Sequence, residues 1–264
     1  MNNEKGYALI TGATSGIGLE LARLFAKDNY NLIIVARDEA ELATTKDALE
    51  STGVDVVTIA KDLFNPNGPF EVYDEVRSKG LEVTVLVNNA GQGMYGLFQD
   101  TEIRRELDII QLNIASLIVL TKSFLKDMLQ RGEGKILNTS SIASQAPGPY
   151  QSVYHGTKAF VQSFTEALRN EVKDSGITVT ALLPGVTDTD FFNKAEMNES
   201  KVVQGKMADP ADVAKDGFDA LMRGDDKVVS GFMNKVQVTL GNVMTDPMKA
   251  AQMRNQQEPA SGSK

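Results

Sequence analysis

Tyr154 and Lys158 stand four residues apart, and on a helix that spacing puts both side chains on one face. A phenol, with a pKa of about 10, exchanges a proton poorly at neutral pH unless nearby positive charge stabilises its phenolate. A lysine one turn away is a source of such charge. The pair could then serve as a general acid toward an oxygen gaining electron density, or as a base toward an alcohol. Taken alone, the same spacing also fits two unrelated surface residues.

A second cluster lies near the N-terminus. The run Thr11-Gly12-Ala13-Thr14-Ser15-Gly16-Ile17-Gly18 follows a β-branched stretch and opens a helical pattern. Glycines there let a backbone approach a pyrophosphate, and a helix N-terminus offers free N–H groups and a favourable dipole. The spacing is G-x-x-x-G-x-G, which differs from the common dinucleotide fingerprint, and glycines also make plain tight turns. At the end of the next apolar run stands Arg37. An arginine there suits a ribose 2′-phosphate, whereas an acidic residue suits free ribose hydroxyls, so Arg37 points to NADP(H) rather than NAD(H). Asp38, one position later, reads as the N-cap of the following helix. Arg37 as a solvated charge is the bland alternative.

These residues need elements to hold them. Short apolar runs at Tyr7–Thr11, Asn31–Ala36, Val54–Ala60, Val83–Asn88, Lys135–Thr139, Thr178–Leu183 and Lys227–Ser230 predict strands. Several are continuously apolar, as in strands buried on both faces. Helical periods fall between them, near Gly18–Lys27, Glu39–Leu49, Phe70–Ser78, Ile103–Leu129, Tyr154–Lys173 and Ala211–Arg223. The alternation predicts an α/β, doubly wound Rossmann-type three-layer sandwich on a seven-stranded parallel sheet, within a single domain over residues 1–246. In the long helix, Ile103, Leu107, Ile110, Ile114, Leu117, Thr121, Phe124 and Met128 predict one core-facing stripe. Residues 185–208 form a long polar segment studded with Phe191, Phe192, Met197 and Met207, and are expected to act as a substrate lid. The pocket should be completed by residues 92–95 and 144–150. From residue 247 to 264 the chain is polar, and a flexible tail is expected.

Composition narrows the classes. The 264 residues contain no cysteine and one histidine, which excludes disulfides, thiol nucleophiles and a His-rich metal cluster. A net charge of −8 argues against nucleic acid as a partner. The first residues, Met1-Asn2-Asn3-Glu4-Lys5-Gly6, carry no apolar core, so no signal peptide is expected. The clearest apolar run, around residues 114–120, is short for a membrane span. A cytoplasmic location is the default expectation.

With these motifs in this order, the chain resembles the short-chain dehydrogenase/reductase family over roughly residues 6–230. The likeness rests on the glycine turn at 11–18, Asn88-Asn89-Ala90-Gly91, Asn113, Ser141, Tyr154 with Lys158, and Pro184-Gly185 followed by Thr189. The resemblance implies a carbonyl reductase or alcohol dehydrogenase with a small-molecule carbonyl or alcohol substrate. It implies that Tyr154 is the general acid or base, that Lys158 lowers the Tyr154 pKa and binds the nicotinamide ribose, and that Ser141 hydrogen-bonds the substrate oxygen. Asn113 would hold a water linking Lys158 to solvent. The glycine turn, with Gly12, Thr14, Ser15, Gly16, Ile17 and Gly18, would take the phosphates. Asp62 and Leu63 would contact adenine, and Asn88 to Gly91 would line the adenosine ribose. The backbone of Thr187 and the hydroxyl of Thr189 would fix the carboxamide. The resemblance also implies a homodimer or homotetramer.

Two departures stand out. The motif reads Tyr154-His155-Gly156-Thr157-Lys158, where the family more often has Ala-Ser before the lysine. His155 points in a different helical direction from Tyr154 and is read as structural. Tyr150 is a rival tyrosine, but the residue four positions on is Tyr154 and not a lysine. Two other readings compete: a catalytically silent nucleotide-sensing or scaffold protein on the same fold, and a sugar-nucleotide epimerase or dehydratase, for whose larger substrate domain little chain is left after Pro184.

Overall fold

The computed structural model describes residues 5–197, 199–241 and 244–260. The expectation about a signal peptide at residues 1–4, and the last four residues of the expected tail, lie outside the described part.

All seven expected strands form: β1 (Tyr7–Thr11), β2 (Asn31–Ala36), β3 (Val56–Ala60), β4 (Val83–Asn88), β5 (Gly134–Thr139), β6 (Ile177–Leu183) and β7 (Lys227–Val229). They make one parallel sheet in the order β3-β2-β1-β4-β5-β6-β7. The strand order reverses between β1 and β4, so the loops leaving these two neighbours diverge and open a crevice at their carboxyl ends. A ligand site is expected there in open α/β sheets.

The strands are apolar throughout because both sheet faces are covered. Ala8 and Ile10 of β1 pack into one core, while Leu9 packs into the other. Leu32 and Ile34 of β2 divide from Ile33 and Val35 in the same way. One layer is built by α1 (Gly16–Lys27), α2 (Glu39–Glu50) and, later in the chain, the helix Pro210–Arg223. The other holds α3 (Gly68–Ser78), α4 (Ile103–Ile110), α5 (Ser116–Arg131) and α6 (Ser152–Glu171). Beyond β6 come α7 (Phe191–Lys194), α8 (Pro210–Arg223), α9 (Phe232–Gly241) and α10 (Asp246–Gln257).

The long helix departs from the expected stripe. Residues Gln111–Ala115 between α4 and α5 form a wider π-type turn. Such a turn adds a residue to the helix and shifts the buried face by one position. Tracing back from Leu117 and Thr121, the core side therefore passes through Asn113, Ile109 and Glu106, all buried. The expected Ile103 and Leu107 are instead 59% and 56% exposed. Together α4, the turn and α5 are long and apolar enough by length and composition to cross a membrane. Here Leu117, Leu120, Phe124 and Met128 are buried in the domain core.

The polar segment after Asp246 also differs from expectation. Instead of a loose tail through residue 260, Asp246–Gln257 is a helix with Pro247 in its first turn, where a proline's missing N–H costs nothing. Its end is tied back to the domain: Gln257 is buried, Lys201 N donates to Glu258 O, and Ala260 N donates to Glu199 O. Hydrogen bonding, which the hydropathy pattern does not display, supplies what apolar burial does not.

Candidate active site

A cleft of about 330 Å³ runs along the carboxyl end of the sheet, from the glycine turn to the start of α6. At its first end β1 delivers the chain into Gly12 and Gly16, whose φ values of +66° and +54° favour glycine. Gly18 is confined for a different reason. A Cβ at Gly18 would lie 2.1 Å from Gly12 O, so the turn can fold back against α1 only with glycine there. Ser15 makes no side-chain cap, leaving the first N–H groups of α1 uncapped from that side. Gly12, Thr14, Ser15, Gly16 and Ile17 line the cleft. These features fit a pyrophosphate: a close-approach backbone and a helix N-terminus aimed into the cavity.

Arg37 lines the cleft mouth with its guanidinium 5.1 Å from the Phe64 ring centroid. Asp38 is the N-cap of α2, accepting from Ala40 N and Glu41 N, and is therefore occupied. The residues expected at an adenine sort differently. Leu63 is buried in the core, and exposed Asp62 accepts from Phe64 N. Phe64, which the sequence reading missed, is the one of the three that lines the cleft.

The loop after β4 divides as well. Asn89, Ala90 and Gly91 line the cleft. Asn89 Nδ2 donates to Thr11 O at 3.1 Å, and the N–H groups of Asn89 and Ala90 both donate to Thr11 Oγ1 at 3.0 Å, stitching the two diverging loops together. Asn88 instead points into the core, donating to Thr121 Oγ1 and Asn138 Oδ1 at 2.9 Å each. The alternation of side chains at the end of β4 puts neighbours on opposite faces, so Asn88 secures the sheet to α5.

At the far end stand Ser141, at the start of a short turn after β5, and Tyr154 and Lys158 in the first turns of α6. Lys158 Nζ donates to Thr139 O at 2.8 Å and lies 5.8 Å from the Tyr154 ring centroid. Ser141 Oγ accepts from Ala143 N. Asn113, turned inward by the π-type turn, donates to Gln92 O and Thr157 Oγ1 and accepts from Gln92 N. A Cβ at Gly91 would sit 3.2 Å from Lys158 Nζ and 3.3 Å from Asn113 Oδ1, so both groups flank that glycine.

Burial controls the electrostatics. Desolvation pushes the Tyr154 phenol up to about 12, with a Ser141 hydrogen bond acting the other way. Desolvation also pulls the Lys158 ammonium down to about 8. The net shift of the phenol is upward because taking a phenolate out of water outweighs the Ser141 hydrogen bond that favours it. The phenol is held as a proton donor at neutral pH.

Pro184, Gly185, Thr187 and Thr189 border the middle of the cleft. Thr187 Oγ1 donates to Gly185 O, and Thr189 Oγ1 to Thr187 O. A Cβ at Gly16 would meet Thr189 Cγ2 at 2.8 Å, which brings the start of the 185–208 segment against the glycine turn. That segment carries Phe191 to within 5.2 Å of the Tyr154 ring, centroid to centroid, with Phe192 stacked edge-on behind it. His155 is buried at the cleft wall with both ring nitrogens engaged: Nδ1 pairs with Ala146 O and Nε2 with Gln257 Nε2. Tyr150 stacks on Tyr95. Met253, Gln256, Gln257 and Gln151 also border the cleft, and the sequence reading placed none of them there. A polar, low-period segment at the chain end gave no signal of its return.

A model of the short chain dehydrogenase family matches residues 6–200. The chain is 38% identical over 181 residues to a very-long-chain 3-oxoacyl-CoA reductase of Laccaria bicolor, covering 67% of this chain and 53% of that protein. It is 37% identical over 185 residues to sulfoacetaldehyde reductase 2 of Chromohalobacter salexigens, covering 69% and 73%. The chain thus spans about half the length of the very-long-chain 3-oxoacyl-CoA reductases it matches. Among solved structures, a short-chain dehydrogenase from Sphingobium yanoikuyae in complex with NADPH superposes with a TM-score of 0.81 at 27% identity, covering 94% of this chain and 99% of that one. The chain belongs to the short-chain dehydrogenase family.

Proposed function

We propose that this short-chain dehydrogenase is an NADP(H)-dependent oxidoreductase that interconverts a carbonyl compound and its alcohol, with Tyr154 giving or taking the proton. One observation carries the reading: Tyr154, Ser141 and Lys158 converge at one end of a cleft whose other end is a glycine turn opening a helix. Both relatives named above are reductases, and 3-oxoacyl groups and aldehydes are carbonyl compounds.

When bound, NADPH would supply a hydride to the carbonyl carbon. The glycine turn and the α1 N-terminus would hold its phosphates, and Arg37 would hold the 2′-phosphate. Lys158 would reach the nicotinamide ribose, while Thr187 and Thr189 would hold the carboxamide. Ser141 donates a hydrogen bond to the carbonyl oxygen as charge grows there. Tyr154 then passes its phenolic proton to that oxygen, completing the alcohol. Phe191 and Phe192 exclude water from the phenol.

The pH dependence follows from the two buried groups. Lys158 is charged below about pH 8 and neutral above, while the phenol, at about 12, stays protonated across that point. Carbonyl reduction with NADPH should therefore run at neutral pH and fall as pH rises through about 8. The check is loss of NADPH absorbance over a panel of ketones and aldehydes, repeated across pH for one that reacts. Tight NADPH binding without turnover over the whole panel would favour the nucleotide-sensing alternative. A reduction rate that climbs above that pH would remove Lys158 from the assigned role.

The cofactor preference rests on Arg37. Arg37→Ala should weaken NADPH binding by roughly 10- to 100-fold, the worth of a charge-assisted hydrogen bond, and leave NADH nearly unchanged. Equal losses for both would overturn the assignment.

We also infer a homodimer or homotetramer. Leu97, Phe98, Ile103, Leu107 and Ile110 are all exposed on and before α4, a run of large apolar side chains that a second copy could cover. Light scattering of the purified protein should give at least twice the mass of one chain. A monomer at micromolar concentration would contradict the inference.

A further inference from the structure

Helix α10 offers little apolar surface, yet it borders the cleft through Met253, Gln256 and Gln257. Only 4% of Gln257 is exposed, although it is an amide at the end of a mostly exposed helix. Three parts of the site hold it. Its backbone carbonyl oxygen accepts from Tyr95 Oη at 2.6 Å, in the loop after β4, and from Ser200 Oγ at 3.1 Å, in the segment after β6. Its Nε2 lies 2.9 Å from Nε2 of His155, the residue after Tyr154. With His155 Nδ1 2.8 Å from Ala146 O, the neutral ring donates from Nδ1 and accepts at Nε2. Gln257 is therefore fastened at the cleft wall by the ring of the residue next to Tyr154, a ring whose tautomer is fixed.

Among the described residues, four buried side-chain polar atoms have no hydrogen-bond partner, and two of them belong to residues lining this cleft: Gln257 Oε1 and Gln151 Nε2. Gln151 is only 5% exposed. Its Nε2 and Tyr154 Cδ2 both lie 3.4 Å from the point where a side chain on Gly93 would begin, so that amide nitrogen sits close to the phenol ring. An orphaned buried amide atom costs about 1–3 kcal/mol. Here one orphan is a donor and the other an acceptor, on two residues that line the same cleft.

Building on the carbonyl-reductase reading, we propose that Gln151 and Gln257 form a polar subsite next to the reacting carbonyl. It takes a second, neutral oxygen function carried by the substrate, with a hydroxyl as the matching group. Such a hydroxyl accepts from Gln151 Nε2 and donates to Gln257 Oε1, and the remainder of the substrate lies against Met197, Val202 and Met253, which also line the cleft. Both glutamines are specificity-determining residues, and α10 is the wall that brings the second one in. The chemical class is a hydroxyketone or similar oxygenated carbonyl compound, in preference to a hydrocarbon ketone.

The test uses the full chain with NADPH and two ketones of equal length, a β-hydroxyketone and its hydrocarbon counterpart. The wild type should favour the hydroxyketone in kcat/KM by about tenfold, the worth of a net hydrogen bond of roughly 1.4 kcal/mol. Gln151→Met and Gln257→Met, which keep length and remove the amide, should each erase most of that preference through KM. Reduction of the hydrocarbon ketone and the Kd for NADPH should barely move. Gln151→Met leaves the Gln257–His155 contact in place, so it decides the matter even if Gln257→Met loosens α10. A wild type indifferent to the hydroxyl, or variants that slow both ketones alike, would overturn the subsite. Binding of NADPH with reduction of neither ketone would instead defeat the carbonyl-reductase reading, and the subsite would fall with it.

Discussion

Lys158 carries a positive charge into a place where only 5% of its surface meets solvent, and Thr139 O is positioned to receive it. An ammonium so placed is costly unless it is paired or hydrogen-bonded, and much of the surrounding architecture serves that requirement. β5 must end where the Thr139 carbonyl faces α6. α6 must enter the core at an angle that brings Lys158 in with Tyr154 one turn before it. Ser140 Oγ reaches the Lys158 backbone carbonyl at 2.8 Å and ties the two elements together. The turn that swings Asn113 inward brings its amide oxygen and that ammonium to the same face of Gly91.

The same burial sets the protonation states of the two groups. A phenol pushed up to about 12 holds its proton, and a lysine pulled down to about 8 keeps its charge through neutral pH. That combination suits proton donation to a carbonyl oxygen. Positive charge from a bound oxidised nicotinamide would move the phenol back toward the phenolate needed for alcohol oxidation.

Local chemistry was readable in the sequence wherever spacing alone decides it. The i, i+4 pair Tyr154 and Lys158, the glycine turn after β1, Asp38 as a helix cap and the seven apolar strands all lie where periodicity and residue type put them. The misreadings arise where one residue of register matters. A single wider turn at Gln111–Ala115 moved the long helix's buried face from Leu107 and Ile110 to Glu106 and Ile109. Strand alternation sent Asn88 into the core and left Asn89 to face the cleft. At the end of β3, Phe64 borders the cleft while Leu63 points into the core. The C-terminal helix was hidden for another reason. Its anchoring relies on an amide against an imidazole and on two hydroxyls from distant loops, none of which leaves a hydrophobic trace.

The central claim is that a proton held on Tyr154 is delivered to the substrate oxygen. Tyr154→Phe removes that proton and keeps the ring against Phe191, so single-turnover reduction by bound NADPH isolates the step. The account predicts a loss of about 100- to 10,000-fold in the rate of reduction, with the NADPH Kd unchanged. A variant that reduces the same ketone at close to the wild-type rate would contradict it.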